Sequence, residues 1–183
     1  MKKFELTSES IVKLGKTLYR IRALVAFGDV KEGELGGFLE KEENLSQDGN
    51  AWVSGNAWVS GNATVSENAT VSGNATVFGN AIVSGNARVS GNAIVSGDAW
   101  VFKTSHYLVI GPMGSRNGFT TFFRTKKLFI GVACGCFRGN VDEFVEKVKE
   151  THGDNKHAKA YIAAAELAKM QIDLTPEENE PEE

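Results

Sequence analysis

The chain has 183 residues, 42% of them hydrophobic, and a formal net charge of −3. That length suits one sizeable domain or two small ones; no apolar run approaches bilayer-spanning length, and the first ten residues are too polar for the core of a signal peptide. Six acidic residues (Asp173, Glu177, Glu178, Glu180, Glu182 and Glu183) and no Lys or Arg lie in the last eleven positions, which leaves a body of +3 without a basic stripe and makes a nucleic-acid face unlikely.

Residues 1–44 read as an N-terminal cap. Thr17 to Leu24 alternates as a strand would, with Arg20 and Arg22 on one face. These arginines suit either an anion or nearby carboxylates. Gly33, Gly36 and Gly37 mark turns.

Eight near-identical hexapeptides then run from Val53 to Trp100, written as Ala-x-Val-Ser-Gly-Asn. A period of six is too short for a helical repeat and predicts one short strand plus one corner per unit. Alternation along the strand turns Ala and Val inward and x outward. Gly tolerates a positive φ at the corner, and Asn tolerates it better than most residues. Three units close a coil of 18 residues, and about three coils over residues 45–102 stand only ~15 Å tall. Such a stub exposes two sheet edges that the flanks should cap. Outward positions stack Trp52, Thr70 and Arg88 on one face, Trp58, Thr76 and Ile94 on a second, and Thr64, Ile82 and Trp100 on the third. Apolar residues on all three faces need a cover, either flanking segments or neighbouring subunits, and the second option predicts a homotrimer. The threonines form no flat ladder of the ice-binding kind, and the Asp and Gly spacing of calcium-binding β-rolls is missing.

This repeat resembles the left-handed β-helix of hexapeptide-repeat acyltransferases. The resemblance implies a left-handed parallel β-helix and is weak for function. Those enzymes use a histidine near longer coils; here His106 is the only candidate base nearby.

Residues 103–172 predict a small α+β unit, so the fold class is mainly β with a smaller α+β part. His106 to Ile110, Phe119 to Arg124 and Leu128 to Ala133 read as strands. Asn140 followed by Glu143 is a capping box for a helix through about Thr151, with Phe144, Val145 and Val148 as its buried stripe. Gly153 ends it. A second helix, from about Asn155 to Gln171, packs through Tyr161, Ile162, Ala165 and Ala168. Cys134 and Cys136 are too close for an ordinary disulfide and too few for a zinc site. Reduced packing thiols would suit a cytoplasmic protein. Residues 173–183, with Pro176 and Pro181, read as a disordered acidic tail.

Two loops have the chemistry of an anion site. Gly114 to Gly118 offers the Ser115 hydroxyl, the Arg116 cation, the Asn117 amide and backbone N–H groups. Phe137, Arg138 and Gly139 precede a helix N-terminus, where unpaired N–H groups and the dipole favour negative charge. Phe137 could stack a base, and Arg124, His157 and Tyr161 could complete the pocket. The plainer alternative is a hairpin turn, with Arg138 paired to Asp142 or Glu143. No catalytic residue, metal or cofactor is expected.

The order of Leu18 to Ala23, Gly36 to Glu40, Asn44 to Ser46, the hexapeptides, Gly114-Ser115-Arg116 and Gly135 to Gly139 resembles uncharacterised proteins carried by phages and prophages. That resemblance implies a protein sequestering a nucleotide signal of bacterial defence, such as a cyclic nucleotide or an ADP-ribose derivative. Three classes follow: a non-catalytic binder of a phosphorylated small molecule, an acyltransferase, and a structural trimerisation or protein-interaction module.

Overall fold

The computed structural model describes residues 2–176, in two compact units that divide between Thr104 and Ser105. The first unit opens with strands β1 (Phe4–Lys13), β2 (Lys16–Ala23) and β3 (Leu35–Leu39). Two-residue strands follow at every sixth position: β4 (Trp52–Val53), β5 (Trp58–Val59), β6 (Thr64–Val65), β7 (Thr70–Val71), β8 (Thr76–Val77), β9 (Ile82–Val83), β10 (Arg88–Val89), β11 (Ile94–Val95) and β12 (Trp100–Val101). They stack in parallel as β5-β8-β11, β6-β9-β12 and β4-β7-β10, the three walls of a β-solenoid of about 4 turns.

The solenoid begins before residue 45. Strand β3 pairs in parallel with β5 through Phe38–Trp58 and Leu39–Val59, and Leu45 bridges Val65. Leu39, Leu45 and Val53 therefore hold the inward positions of an added lowest turn, each no more than 1% exposed. Neither Leu39 nor Leu45 is followed by Ser-Gly-Asn, so the hexapeptide period begins only at Val53. Above it, the Val and Ala of every hexapeptide are fully buried, and the core is a column of small and branched side chains.

Strands paired eighteen residues apart are tied by backbone bonds that span seventeen, such as Ser60 N to Val77 O at 3.0 Å and Asn62 N to Gly79 O at 2.8 Å. The corner itself corrects an expectation. Its positive φ belongs to glycine (Gly61, φ 70), or once to Glu67 (φ 58), and never to the repeat Asn. The asparagines instead form ladders. Asn50 donates to Asn68 and Asn68 to Asn86, Asn56 to Asn74 and Asn74 to Asn92, and Asn62 to Asn80 and Asn80 to Asp98.

Flanking residues cover the outward tryptophans. Strands β1 and β2 form an antiparallel hairpin that extends the β3 wall to six strands. Trp58 packs with Leu18 and Phe38, and its ring stacks on Phe78 at 5.9 Å. Trp52 meets Phe27 edge-on at 5.4 Å, and Trp100 meets Phe102 at 5.7 Å. All three are less than a tenth exposed within one chain, so a neighbouring subunit is not needed to bury them. Arg20 and Arg22 pair with Glu9 and Glu5 rather than with an anion.

Polar side chains close the bottom edge. Asn44 donates to Ala63 O at 2.8 Å, and Glu40 accepts from Gly61 N and from Lys16. Lys3 donates to the carbonyls of Asp48, Gly49 and Ala51 and lies over the Phe27 ring.

The second unit is an antiparallel sheet in the order β13 (Tyr107–Met113), β14 (Gly118–Arg124), β15 (Ile130–Cys134) and β16 (Phe137–Asn140), followed by α1 (Val141–His152) and α2 (Lys156–Gln171). The Asn140–Glu143 capping box forms as expected, and Gly153 ends α1. Phe122, Ile130 and Val132 from the sheet meet Phe144, Val148, Ala165 and Ala168 from the helices. The segment read as a loop before α1 is instead strand β16, which pairs Ala133 with Arg138 and Cys134 with Phe137 around a two-residue turn. The tail begins later than expected: Leu174 packs on this core, and Thr175 O accepts from Arg124. The rest of the tail, residues 177–183, lies outside the described residues. No described helix is long and apolar enough to cross a membrane.

Two stability predictions follow from the solenoid. Val77→Asp places an unpaired carboxylate where Val77 is fully buried, and should cost more than about 3 kcal/mol by urea unfolding. Burial pushes the Lys3 ammonium down to about 8 from 10.5, with Asp48 partly opposing. Between those values the unfolded chain binds the extra proton, so stability should rise with pH from about 8 to 10.5. Melting curves across that window should show this increment in wild type and lack it in Lys3→Met.

Candidate functional site

The pocket lies in the second unit and has a volume of about 310 Å³. The turn between β13 and β14 supplies Ser115 and Arg116, the turn between β15 and β16 supplies Cys136, and Phe137 comes from β16. Helix α1 adds Phe144, Lys147, Thr151 and His152, and α2 adds Tyr161. The sheet meander and the antiparallel helix pair thus bring four short segments to one place.

The walls are largely aromatic. Phe144 contacts Phe137 at 5.4 Å and Tyr161 at 5.7 Å, while His152 stacks on Tyr161 at 5.8 Å. The Tyr161 phenol bonds to Cys134, whose sulfur also receives the Thr120 hydroxyl at 3.1 Å. Burial pushes the Tyr161 phenol up from its ordinary value, helped by Cys134 and opposed by Arg116. Arg116 makes no hydrogen bond or ion pair among the described residues, and Lys147 pairs with Glu150 at 2.9 Å. The lining contains Arg116 and Lys147 but no carboxylate.

Of the residues singled out from sequence, Ser115, Arg116, Phe137 and Tyr161 meet in this pocket. Asn117, exposed in the same turn with a positive φ of 49, is not part of the lining. Arg124 is fully buried at the far end of β14 and bonds to Thr175 O. Residues 137–140 form a strand, so Arg138 points to the sheet face opposite Phe137. Its guanidinium turns back to Gly135 O and Phe137 O instead of pairing with Asp142 or Glu143. Gly139, in the same strand, is beside Phe137 and Glu143 and outside the lining. His157 stands 6.0 Å from His152, one ring removed from the pocket. The helix N-terminus itself is closed, because Asn140 accepts from Asp142 N and Glu143 N, and Glu143 accepts from Asn140 N.

Sequence reasoning missed Phe119, Lys147, Thr151, His152 and both thiols as lining residues. With Phe144 and Val148, Lys147, Thr151 and His152 follow the three- and four-residue spacing of one helix face, the signal that could have found them. His106, the candidate base of the acyltransferase reading, is fully buried. Among the described residues, no group of three His, Cys, Asp or Glu is arranged to hold a metal.

The approach of Tyr161 requires glycine at position 114. A Cβ there would lie 1.9 Å from the Tyr161 hydroxyl oxygen, and its φ is +72. Gly114→Ala should therefore lower stability by about 1–2 kcal/mol. Tyr161→Phe in the same chain should recover part of that loss in a double-mutant cycle of melting temperatures.

Residues 57–73, 69–85 and 87–101 match the family described as the YdcK Beta solenoid repeat. A search of curated proteins finds no match to the chain. The matched residues are coils of the solenoid and stop short of the pocket, so the match concerns architecture alone. The chain is a β-solenoid repeat protein, with its pocket carried by an appended α+β unit.

Proposed function

We propose that the second unit is a non-catalytic binding module for a small anionic molecule with a planar part, most simply a phosphorylated, nucleotide-derived one. The observation that carries this reading is the lining: aromatic rings together with Arg116 and Lys147, with no carboxylate in the lining itself; Lys147 meets Glu150 outside it. Apolar walls with a few placed polar groups are the usual composition of small-molecule sites. A ring stacked on Phe137 or Tyr161 would supply area and orientation, and a phosphate beside Arg116 would supply charge-assisted hydrogen bonds. The burial of His106 argues against acyl transfer. Sequestering of a bacterial defence signal rests on the resemblance to phage-carried proteins alone.

A thermal-shift screen of nucleotides, cyclic dinucleotides and ADP-ribose derivatives should find a ligand that raises the melting temperature by several degrees at a hundredfold excess over its Kd. Arg116→Ala should weaken that ligand by about 1.5–3 kcal/mol, and the ligand should be recovered unchanged. The reading fails if no phosphorylated compound shifts the melt, or if Arg116→Ala and Phe137→Ala both bind as wild type does.

A further inference from the structure

We infer that Cys136 is a site of thiol–disulfide exchange for anionic low-molecular-weight disulfides. This rests on the anion preference proposed for the same pocket and adds a covalent step to it. The two thiols of the pocket are not equivalent. Cys134 is half-buried and engaged by Thr120 and Tyr161. Cys136 is exposed at the tip of the turn between β15 and β16 and lines the pocket.

The pocket and this turn carry three cations, of which Lys147 is paired with Glu150. Arg116 and Lys147 stand in the lining, and the Arg138 guanidinium is fastened across the turn by bonds of 2.9 Å to Gly135 O and 2.6 Å to Phe137 O. A disulfide bearing carboxylates is concentrated there by their field, and one bearing ammonium groups is repelled. In the exchange, Cys136 gives its proton to solvent and its thiolate attacks one sulfur of the small disulfide. The S–S bond of the reagent breaks, a bond from Cys136 Sγ to that sulfur forms, and the other half leaves as a thiolate that takes up a proton. The Cys136 sulfur is oxidised and the departing sulfur reduced, so no further oxidant is needed.

The test uses the full, pre-reduced chain and three reagents at equal concentration: oxidised glutathione (anionic), 2-hydroxyethyl disulfide (neutral) and cystamine (cationic). Intact mass and peptide mapping should show a single adduct, on Cys136, absent in Cys136→Ser and retained in Cys134→Ser. Glutathione disulfide should react about tenfold or more faster than cystamine, with the ratio falling as salt rises. Arg116→Gln should slow the anionic reagent severalfold more than the neutral one. Labelling on Cys134, or equal rates for all three reagents, would overturn the inference. Melting of Cys136→Ser with phosphorylated ligands separates the two proposals. A retained ligand shift without charge-selective exchange removes this inference alone. Charge-selective exchange without any phosphorylated ligand removes the ligand class proposed above.

Discussion

A closed coil of eighteen residues stacks only if each rung's backbone donors find carbonyls on the next rung. Within the coils they do so seventeen residues on, from Asn50 N on Glu67 O to Ser84 N on Val101 O, which pairs residues eighteen apart; in the lowest turn the bond spans nineteen, as in Phe38 N on Ala57 O. That constraint decides the composition. Inside the repeated coils, every inward position is Ala or Val, fully buried at fixed heights. At the corner, one residue takes a positive φ, and Glu67 in that place lends a carboxylate oxygen to Gly85 N, one coil further on. Beside it, an amide that both donates and accepts can repeat without end, which a row of carboxylates, acceptors only, cannot do. The Asn62–Asn80 row ends on Asp98, an acceptor only.

The two ends of such a column are open sheet edges, and the bottom end is closed by a different chemistry from its middle. Lys3, Asn44 and Glu40 supply side-chain donors and acceptors where no further coil exists. The same segment lays Leu18, Phe38 and Phe27 over tryptophans that face away from the column. Apolar cover and polar edge closure thus come from one stretch of chain.

The parts legible in the sequence are those set by local rules. The hexapeptide states its own strand, corner and inward face, and Asn140 with Glu143 and Gly153 states the bounds of a helix. What escaped is set by distant partners. Strand β1 holds Glu5, Ser8, Glu9 and Ser10 and has no clean alternation; it exists because β2 pairs with it. The lowest turn puts Leu39 and Leu45 on rung positions without the repeat's corner. In the site, the turn carrying Arg116 was legible from its glycines and charge. The side of the sheet on which Arg138 falls was not, because four residues that read as a loop are a strand held by β15. His152 reaches the pocket through Tyr161, a contact made only when the helices pair.

The eighteen-residue pairing of the coils also sets how this chain can change in length. Adding or removing eighteen residues within the coils restores every wall, every asparagine row and the face on which each outward side chain stands. Adding six does not: the coil closes equally well, but each later residue turns to the next wall. A six-residue insertion below Trp58 would carry that ring away from Leu18 and Phe38, leaving a large apolar surface uncovered. The column is therefore quantised in whole turns wherever its flanks grip it, although its sequence repeats three times as often.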